Sequence, residues 1–171
     1  MIKKICNIIS SFLLILLFII AILLIGPNIL GMKGMAVLSG SMEPSIPVGS
    51  IVYVKETELE ELKLEDVITY SLPGGTYVTH RITDINTEEN TLITKGDANE
   101  VNDASPVSFA QVVGKMVFHV PLLGFISICI KTPLGIAVGC GVLIIVILLT
   151  YLPDALQEEE NKEKKKGERK R

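Results

Sequence analysis

Ser41, His80, Asp97 and Asp103 arrive in that order along the chain, the first three inside short boxes. The boxes are Ser39-Gly40-Ser41-Met42-Glu43-Pro44, Thr79-His80-Arg81-Ile82 and Thr94-Lys95-Gly96-Asp97-Ala98-Asn99, with Asp103 just beyond the last. A hydroxyl is a poor nucleophile near neutral pH. It attacks a carbonyl only when a base removes its proton, and a third group usually aims that base. An alcohol, an imidazole and an acid together can therefore perform covalent acyl-transfer chemistry.

Each residue also has a structural reading. Gly40 lacks a Cβ and lets backbone come close, while Pro44 biases Glu43 toward an extended conformation. Together they predict a stiff connection that presents Ser41 into a cleft. The Ser39 hydroxyl, two residues upstream, and the Ser41 backbone N–H would supply two donors for a tetrahedral oxyanion. The same residues also suit a plain turn between a helix and a strand. On a strand, side chains alternate between faces, so His80 shares a face with Val78 and Ile82, the expected core side. A partly buried imidazole stays neutral and able to accept a proton, which suits a base as well as a core histidine. Asp97 sits in a turn that Asp and Asn favour anyway. Only one carboxylate is needed at His80 Nδ1, and the spacing leaves Asp97 and Asp103 unseparated. His119, in Met116-Val117-Phe118-His119-Val120, reads as structural or surface. Lys95 or Lys55 acting on Ser41 is the competing base, and a lysine in that role must be desolvated to lower its pKa.

These residues lie between two apolar runs. Ile5–Ile25 and Leu134–Leu152 carry no charge. A helix rises about 1.5 Å per residue, so each is long enough to cross a hydrocarbon core of about 30 Å. The first exceeds the roughly 7–15 residues usual for a cleavable leader, and Gly26-Pro27-Asn28 offers no small-x-small cleavage site, so a retained anchor is expected. Lysines precede the first run, and Lys162, Lys164, Lys165, Lys166, Arg169, Lys170 and Arg171 follow the second. Basic flanks mark the cytoplasmic side, which predicts cytoplasmic termini at 1–4 and 153–171, spans at 5–25 and 134–152, and an external domain at 26–133. Residues 31–132 hold seven Lys/Arg against thirteen Asp/Glu, an acidic balance that argues against nucleic acid. The tail is expected to be solvated, with lysines able to meet anionic lipid.

The external domain reads as strands at 50–55, 66–72, 76–84, 91–95 and 111–120, a mostly antiparallel β domain of about a hundred residues. Glu56–Glu65 reads as one helical turn or a solvated loop. Met32–Leu38 reads as an apolar lead toward lipid, and Leu122–Ile130 as a stretch too short to span. Cys6, Cys129 and Cys140 lie in or beside apolar segments and form neither a disulfide framework nor a metal set; they read as small buried residues.

The boxes, together with Pro47-Val48-Gly49-Ser50-Ile51-Val52 and Asp66-Val67-Ile68-Thr69-Tyr70, resemble those of type I signal peptidases. The similarity is to the branch of the endoplasmic reticulum, archaea and some sporulating Gram-positive bacteria. It covers about Val37 to Phe118, and the boxes are specific jointly rather than singly. The resemblance implies Ser41 as nucleophile, His80 as general base in place of the lysine of the commoner bacterial branch, and Asp103 as its acidic partner. It further implies Asp97 as required for activity, Ser39 in the oxyanion hole and Met42 beside the substrate cleft. The implied fold is the coiled antiparallel β domain shared with LexA-like self-cleaving repressors. A departure occurs at Ala98, where the family usually carries asparagine.

The implied reaction is cleavage after the signal peptide of a translocated precursor, with small residues preferred one and three positions before the cut. Implied partners are such signal peptides and the lipid bilayer, with a translocon or accessory subunits as candidates. No metal or organic cofactor is implied. The non-catalytic alternative is a membrane-anchored β module that binds extended peptides or a partner protein. A self-cleaving regulator would need an upstream DNA-binding domain, which thirty mostly apolar residues do not supply.

Overall fold

The computed structural model describes residues 2–168, with side chains for 4–151. The chain divides into a β unit, Leu23–Ile128, and a helical unit formed by the segments before and after it.

In the helical unit, α1 runs Ile2–Ile29 and reaches into the β unit at its end, and α3 runs Pro133–Glu168. The stretches Lys4–Ile29 and Pro133–Tyr151 are long and apolar enough to cross a membrane. Their apolar side chains are turned outward: Phe12, Phe18, Leu134 and Ile144 are all more than half exposed. A helix of a soluble core would bury such groups, and an exposed apolar surface of this extent calls for lipid. Cys129 and Cys140 are exposed and Cys6 is half-buried, so the expectation of buried cysteines does not hold. The backbone of α3 continues as helix past the predicted end of the span. The tail lysines expected to meet lipid lie outside the residues whose side chains are described, and Arg169–Arg171 lie outside the described residues altogether.

The β unit is one seven-stranded sheet in the order β1-β2-β7-β3-β4-β5-β6, with every neighbouring pair antiparallel. The strands are β1 Lys33–Ala36, β2 Ile51–Lys55, β3 Val67–Ser71, β4 Tyr77–Asn86, β5 Thr91–Lys95, β6 Val107–Ser108 and β7 Val112–Val120. All five predicted strands are present, and β1 and β6 are additional. The segment read as a lead toward lipid contains the edge strand β1, paired in register with β2 from Lys33↔Val54 to Ala36↔Ile51. The acidic 56–65 stretch contains a single 3₁₀ turn, Leu59–Glu61, and buries Leu62 just after it. Leu123–Cys129 forms a short helix, α2.

Two clusters hold the sheet together. Leu62, Ile68, Tyr70, Ile82, Leu92 and Val107 form one; Met42, Ile46, Val52, Val54 and Val67 form the other. The second cluster fixes the Ser41 turn. Met42 and Ile46 are buried and are tied by Ile46 N–H to the Met42 carbonyl at 2.8 Å. Each buried side chain of this size stabilises by roughly 1.5–3 kcal/mol. The chain from Ser41 to Ser45 is thus a compact turn, closed also by Glu43 N–H to the Gly40 carbonyl at 3.0 Å, in keeping with the sharp, stiff connection expected from Gly40 and Pro44.

Candidate active site

Strand β4 carries His80 on its inner face, where burial reduces it to 7% exposure. Neighbouring Arg81 falls on the opposite face, as alternation requires. The register of β3 on β4 sets Ile68 opposite His80, and that of β4 on β5 sets Ile82 opposite Thr94. His80 therefore reaches the loop that leaves β5, where Asp103 sits.

His80 Nδ1 lies 2.6 Å from Asp103 Oδ2. An ionised carboxylate only accepts hydrogen bonds, so the ring proton is on Nδ1 and Nε2 keeps its lone pair. The same oxygen accepts from Thr94 Oγ1 at 2.6 Å and from the Tyr70 hydroxyl at 3.2 Å. Burial pushes the Asp103 carboxyl up, but the bonds from Thr94, His80 and Tyr70 outweigh it and hold the group below its ordinary range. Burial, with the Asp103 charge adding to it, pushes the Tyr70 phenol up.

The other side of the ring faces the Ser41 turn. A β-carbon at Gly96 would lie 2.5 Å from the Ser41 carbonyl oxygen and 3.0 Å from His80 Nε2. Glycine at 96 is thus what lets the β5 loop pass between turn and imidazole. Gly40, expected to permit the close approach, is less crowded: a β-carbon there would meet only the Glu43 side chain, at 3.4 Å. Ala98 N–H donates to the Ser41 carbonyl at 2.9 Å, a backbone bond that does not need the family's asparagine. The Ser39 and Ser41 hydroxyls are 3.4 Å apart. Both line one cavity of about 460 Å³ with His80, Met42, Ala36, Val37, Leu38 and the Thr76–Thr79 segment. No hydrogen bond joins Ser41 to His80 among the described residues. Such contacts are commonly loose before substrate binds.

Asp97 is not at His80 Nδ1. It takes two bonds from Arg81, Nε to Oδ1 at 2.8 Å and Nη2 to Oδ2 at 2.7 Å. The Arg81 guanidinium holds its carboxyl below the usual carboxylate range, against burial, and the Ser45 hydroxyl helps. Asp97 therefore ties the β4 strand beside His80 to the turn that carries Ser41. Neither Lys95 nor Lys55 lines the Ser41 cavity. Lys95 instead borders an open pocket with Arg81, Asp97 and Ser45. Thr94 and Tyr70 are the site residues that sequence reasoning missed. The available signal was a polar side chain at an inward position of β5, on the same face as Leu92.

An imidazole braced by a carboxylate thus faces the turn that carries the Ser41 hydroxyl. No family model matches the chain. Among known proteins it is 46% identical over 89 residues to signal peptidase I W of Bacillus subtilis, half of this chain and 47% of that one. It is 34% identical over 106 residues to the signal peptidase complex catalytic subunit SEC11 of Lodderomyces elongisporus, 56% of this chain and 63% of the relative. It is 32% identical over 126 residues to SEC11 of Scheffersomyces stipitis, 67% of this chain and 75% of the relative. The chain thus spans about half to two thirds of the length of the first two curated relatives.

The chain belongs to the type I signal peptidase family, peptidase family S26. The antiparallel sheet is consistent with that family's fold, and the two exposed apolar helices fit a membrane protein.

Proposed function

We propose that this chain is a membrane-bound signal peptidase I, a serine endopeptidase that removes N-terminal signal peptides from translocated precursors. The observation that carries the proposal is the 2.6 Å contact of His80 Nδ1 with Asp103, which leaves Nε2 free beside the Ser41 turn. Asp103 holds the tautomer and stabilises the imidazolium that forms.

His80 Nε2 takes the Ser41 Oγ proton as the oxygen bonds to the scissile carbonyl carbon. The carbonyl electrons move onto oxygen, and the Ser41 N–H and the Ser39 hydroxyl donate hydrogen bonds to the oxyanion. The tetrahedral species collapses, the C–N bond breaks, and the imidazolium gives its proton to the leaving amine. Water then repeats the sequence on the Ser41 ester and frees the new carboxylate. Asp97 acts by position, through Arg81 and Ser45, rather than on the ring. The cavity lies between the end of β1 and the start of β4, so an extended substrate pairs with strand edges. Its apolar lining of Ala36, Val37, Leu38, Met42 and Val78 suits small side chains near the cut.

In this reading residues 26–133 form the extracytoplasmic catalytic domain, with spans at 5–25 and 134–152 and both termini, 1–4 and 153–171, cytoplasmic. A substrate still in the bilayer delivers its cleavage site to an enzyme anchored at the same surface, and such positioning lowers the barrier. Signal peptides and lipid are the partners, and the name of the SEC11 relatives, catalytic subunits of a signal peptidase complex, supports accessory subunits as further ones.

The test is precursor processing by the full chain in liposomes. Ser41→Ala and His80→Ala should each lower turnover by about five orders of magnitude. A peptide-binding module would be indifferent to the first change, and a serine–lysine enzyme would survive the second.

A further inference from the structure

Three donors converge on Asp103 Oδ2, and only one of them is the imidazole. Thr94 is fully buried and makes the other short bond, at 2.6 Å. Its backbone completes a reciprocal pair, because Asp103 N–H donates to the Thr94 carbonyl at 2.8 Å. Thr94 thus grips both ends of Asp103. Tyr70, on β3, is 4% exposed and adds a longer bond from its hydroxyl, and its ring stands edge-on to His80 with centroids 6.5 Å apart.

This matters because Asp103 lies on a loop of bends and irregular backbone, with its side chain 20% exposed. A carboxylate in such a place has several rotamers open to it. Two hydroxyls rooted in the buried strands β3 and β5 select one, and that one puts Oδ2 against Nδ1. Neither Thr94 nor Tyr70 lines the Ser41 cavity, so neither has a route to substrate except through Asp103 and His80.

We infer that Thr94, seconded by Tyr70, is a positioning residue for the serine chemistry: it locks the Asp103 carboxylate in the rotamer that orients the His80 base. This rests on the peptidase reading above. The chemistry it predicts is a loss in kcat without a loss in KM. Hydrogen bonds to charged groups are the stronger class, and removing one of this kind should lower kcat about tenfold to a hundredfold. The longer, weaker Tyr70 bond should cost about threefold.

The experiment compares the full-length wild type with Thr94→Val, Thr94→Ser, Tyr70→Phe and Ser41→Ala in liposomes. The probe is a purified precursor with small residues one and three positions before its cleavage site. Valine keeps the shape of threonine and removes only the hydroxyl, while serine keeps the hydroxyl. Support requires a kcat drop in Thr94→Val at unchanged KM, near-full rescue in Thr94→Ser, and no further loss when Thr94→Val is added to Asp103→Asn, since groups acting through one another are not additive. Should Thr94→Val fail to fold, Tyr70→Phe and its pairing with Asp103→Asn carry the same comparison. Equal kcat in wild type and Thr94→Val, with Ser41→Ala inactive, overturns the positioning role and leaves the serine mechanism standing. Cleavage by Ser41→Ala overturns both.

Discussion

The two sides of the His80 ring are built differently. Behind it, Nδ1 meets a carboxylate at 2.6 Å, and that carboxylate is gripped by hydroxyls from two buried strands. In front, Nε2 faces a turn whose hydroxyls stand 3.4 Å apart and make no bond to the ring. The rear wall is fixed by the fold before any substrate arrives. The front is held by its backbone, through the buried Met42 and Ile46 and the Ala98 bond to the Ser41 carbonyl. A base needs a defined tautomer at all times, and a rear wall set in advance fits electrostatic preorganisation, in which the groups acting on developing charge do not reorganise during the reaction.

The sharpest way to break this contrast is Asp103→Asn. An amide turned with its NH₂ toward Nδ1 favours the opposite tautomer, which places the ring proton on Nε2 and removes the base. Turnover should fall by about four orders of magnitude at similar KM, measured by precursor processing under saturating substrate. Loss of less than tenfold would mean that the rear wall does not aim the base.

Gly96→Ala attacks the front instead. The backbone there is not in the left-handed region, so alanine meets only a steric objection, 2.5 Å from the Ser41 carbonyl oxygen. That contact is with backbone and cannot be relieved by a rotamer change. The turn or the loop must shift, and a misplacement of about 1 Å can cost about a hundredfold in rate. The expected result is a fall of that size in kcat/KM together with a lower melting temperature. Unchanged kinetics would show that the front tolerates displacement, which would deepen the contrast with the rear.

How much of this could be read beforehand follows from the same geometry. Ser41 and Asp97 stood out as reactive side chains among turn formers, His80 as a histidine on an alternating stretch and Asp103 as a carboxylate close behind Asp97, while the longer strands stood out by alternation and β-branched content. Strand β1 did not, because Lys33-Gly34-Met35-Ala36 has poor strand propensity and is stabilised by pairing with β2 rather than by its own composition. Strand β6 has two residues and no period to detect. Thr94 passed as an ordinary strand residue, since its partner Asp103 comes from a loop whose path no local pattern reveals. The separate roles of Asp97 and Asp103 were closer to legible. Arg81 follows His80 on a strand, so the two side chains must leave on opposite faces. A carboxylate bound to one is then displaced from the ring nitrogens of the other.

That separation gives the smallest predicted effect. Asp97 and Asp103 both have carboxyls held below their ordinary range, Asp97 chiefly by Arg81 and Asp103 by hydrogen bonds that outweigh burial. A depressed folded-state pKa means that the unfolded chain binds the proton more readily. The stabilisation is therefore complete above the ordinary carboxylate value and is lost as pH falls through the depressed one. Wild-type melting temperature should hold from neutral pH down to about pH 4 and then decline. Asp97→Asn removes one contributor, so its curve should start lower at neutral pH and fall less steeply in acid. Arg81 is 27% exposed at the side chain, which screens the pair. The neutral-pH difference should accordingly be on the order of 1 kcal/mol, about 4–8 °C for a domain of this size. Melting curves of wild type and Asp97→Asn between pH 7 and 3 decide it. Parallel curves would mean that Asp97 contributes through packing of the Ser41 turn rather than through its charge, and the brace would then join the hydrophobic anchors of Met42 and Ile46 on the front side of the ring.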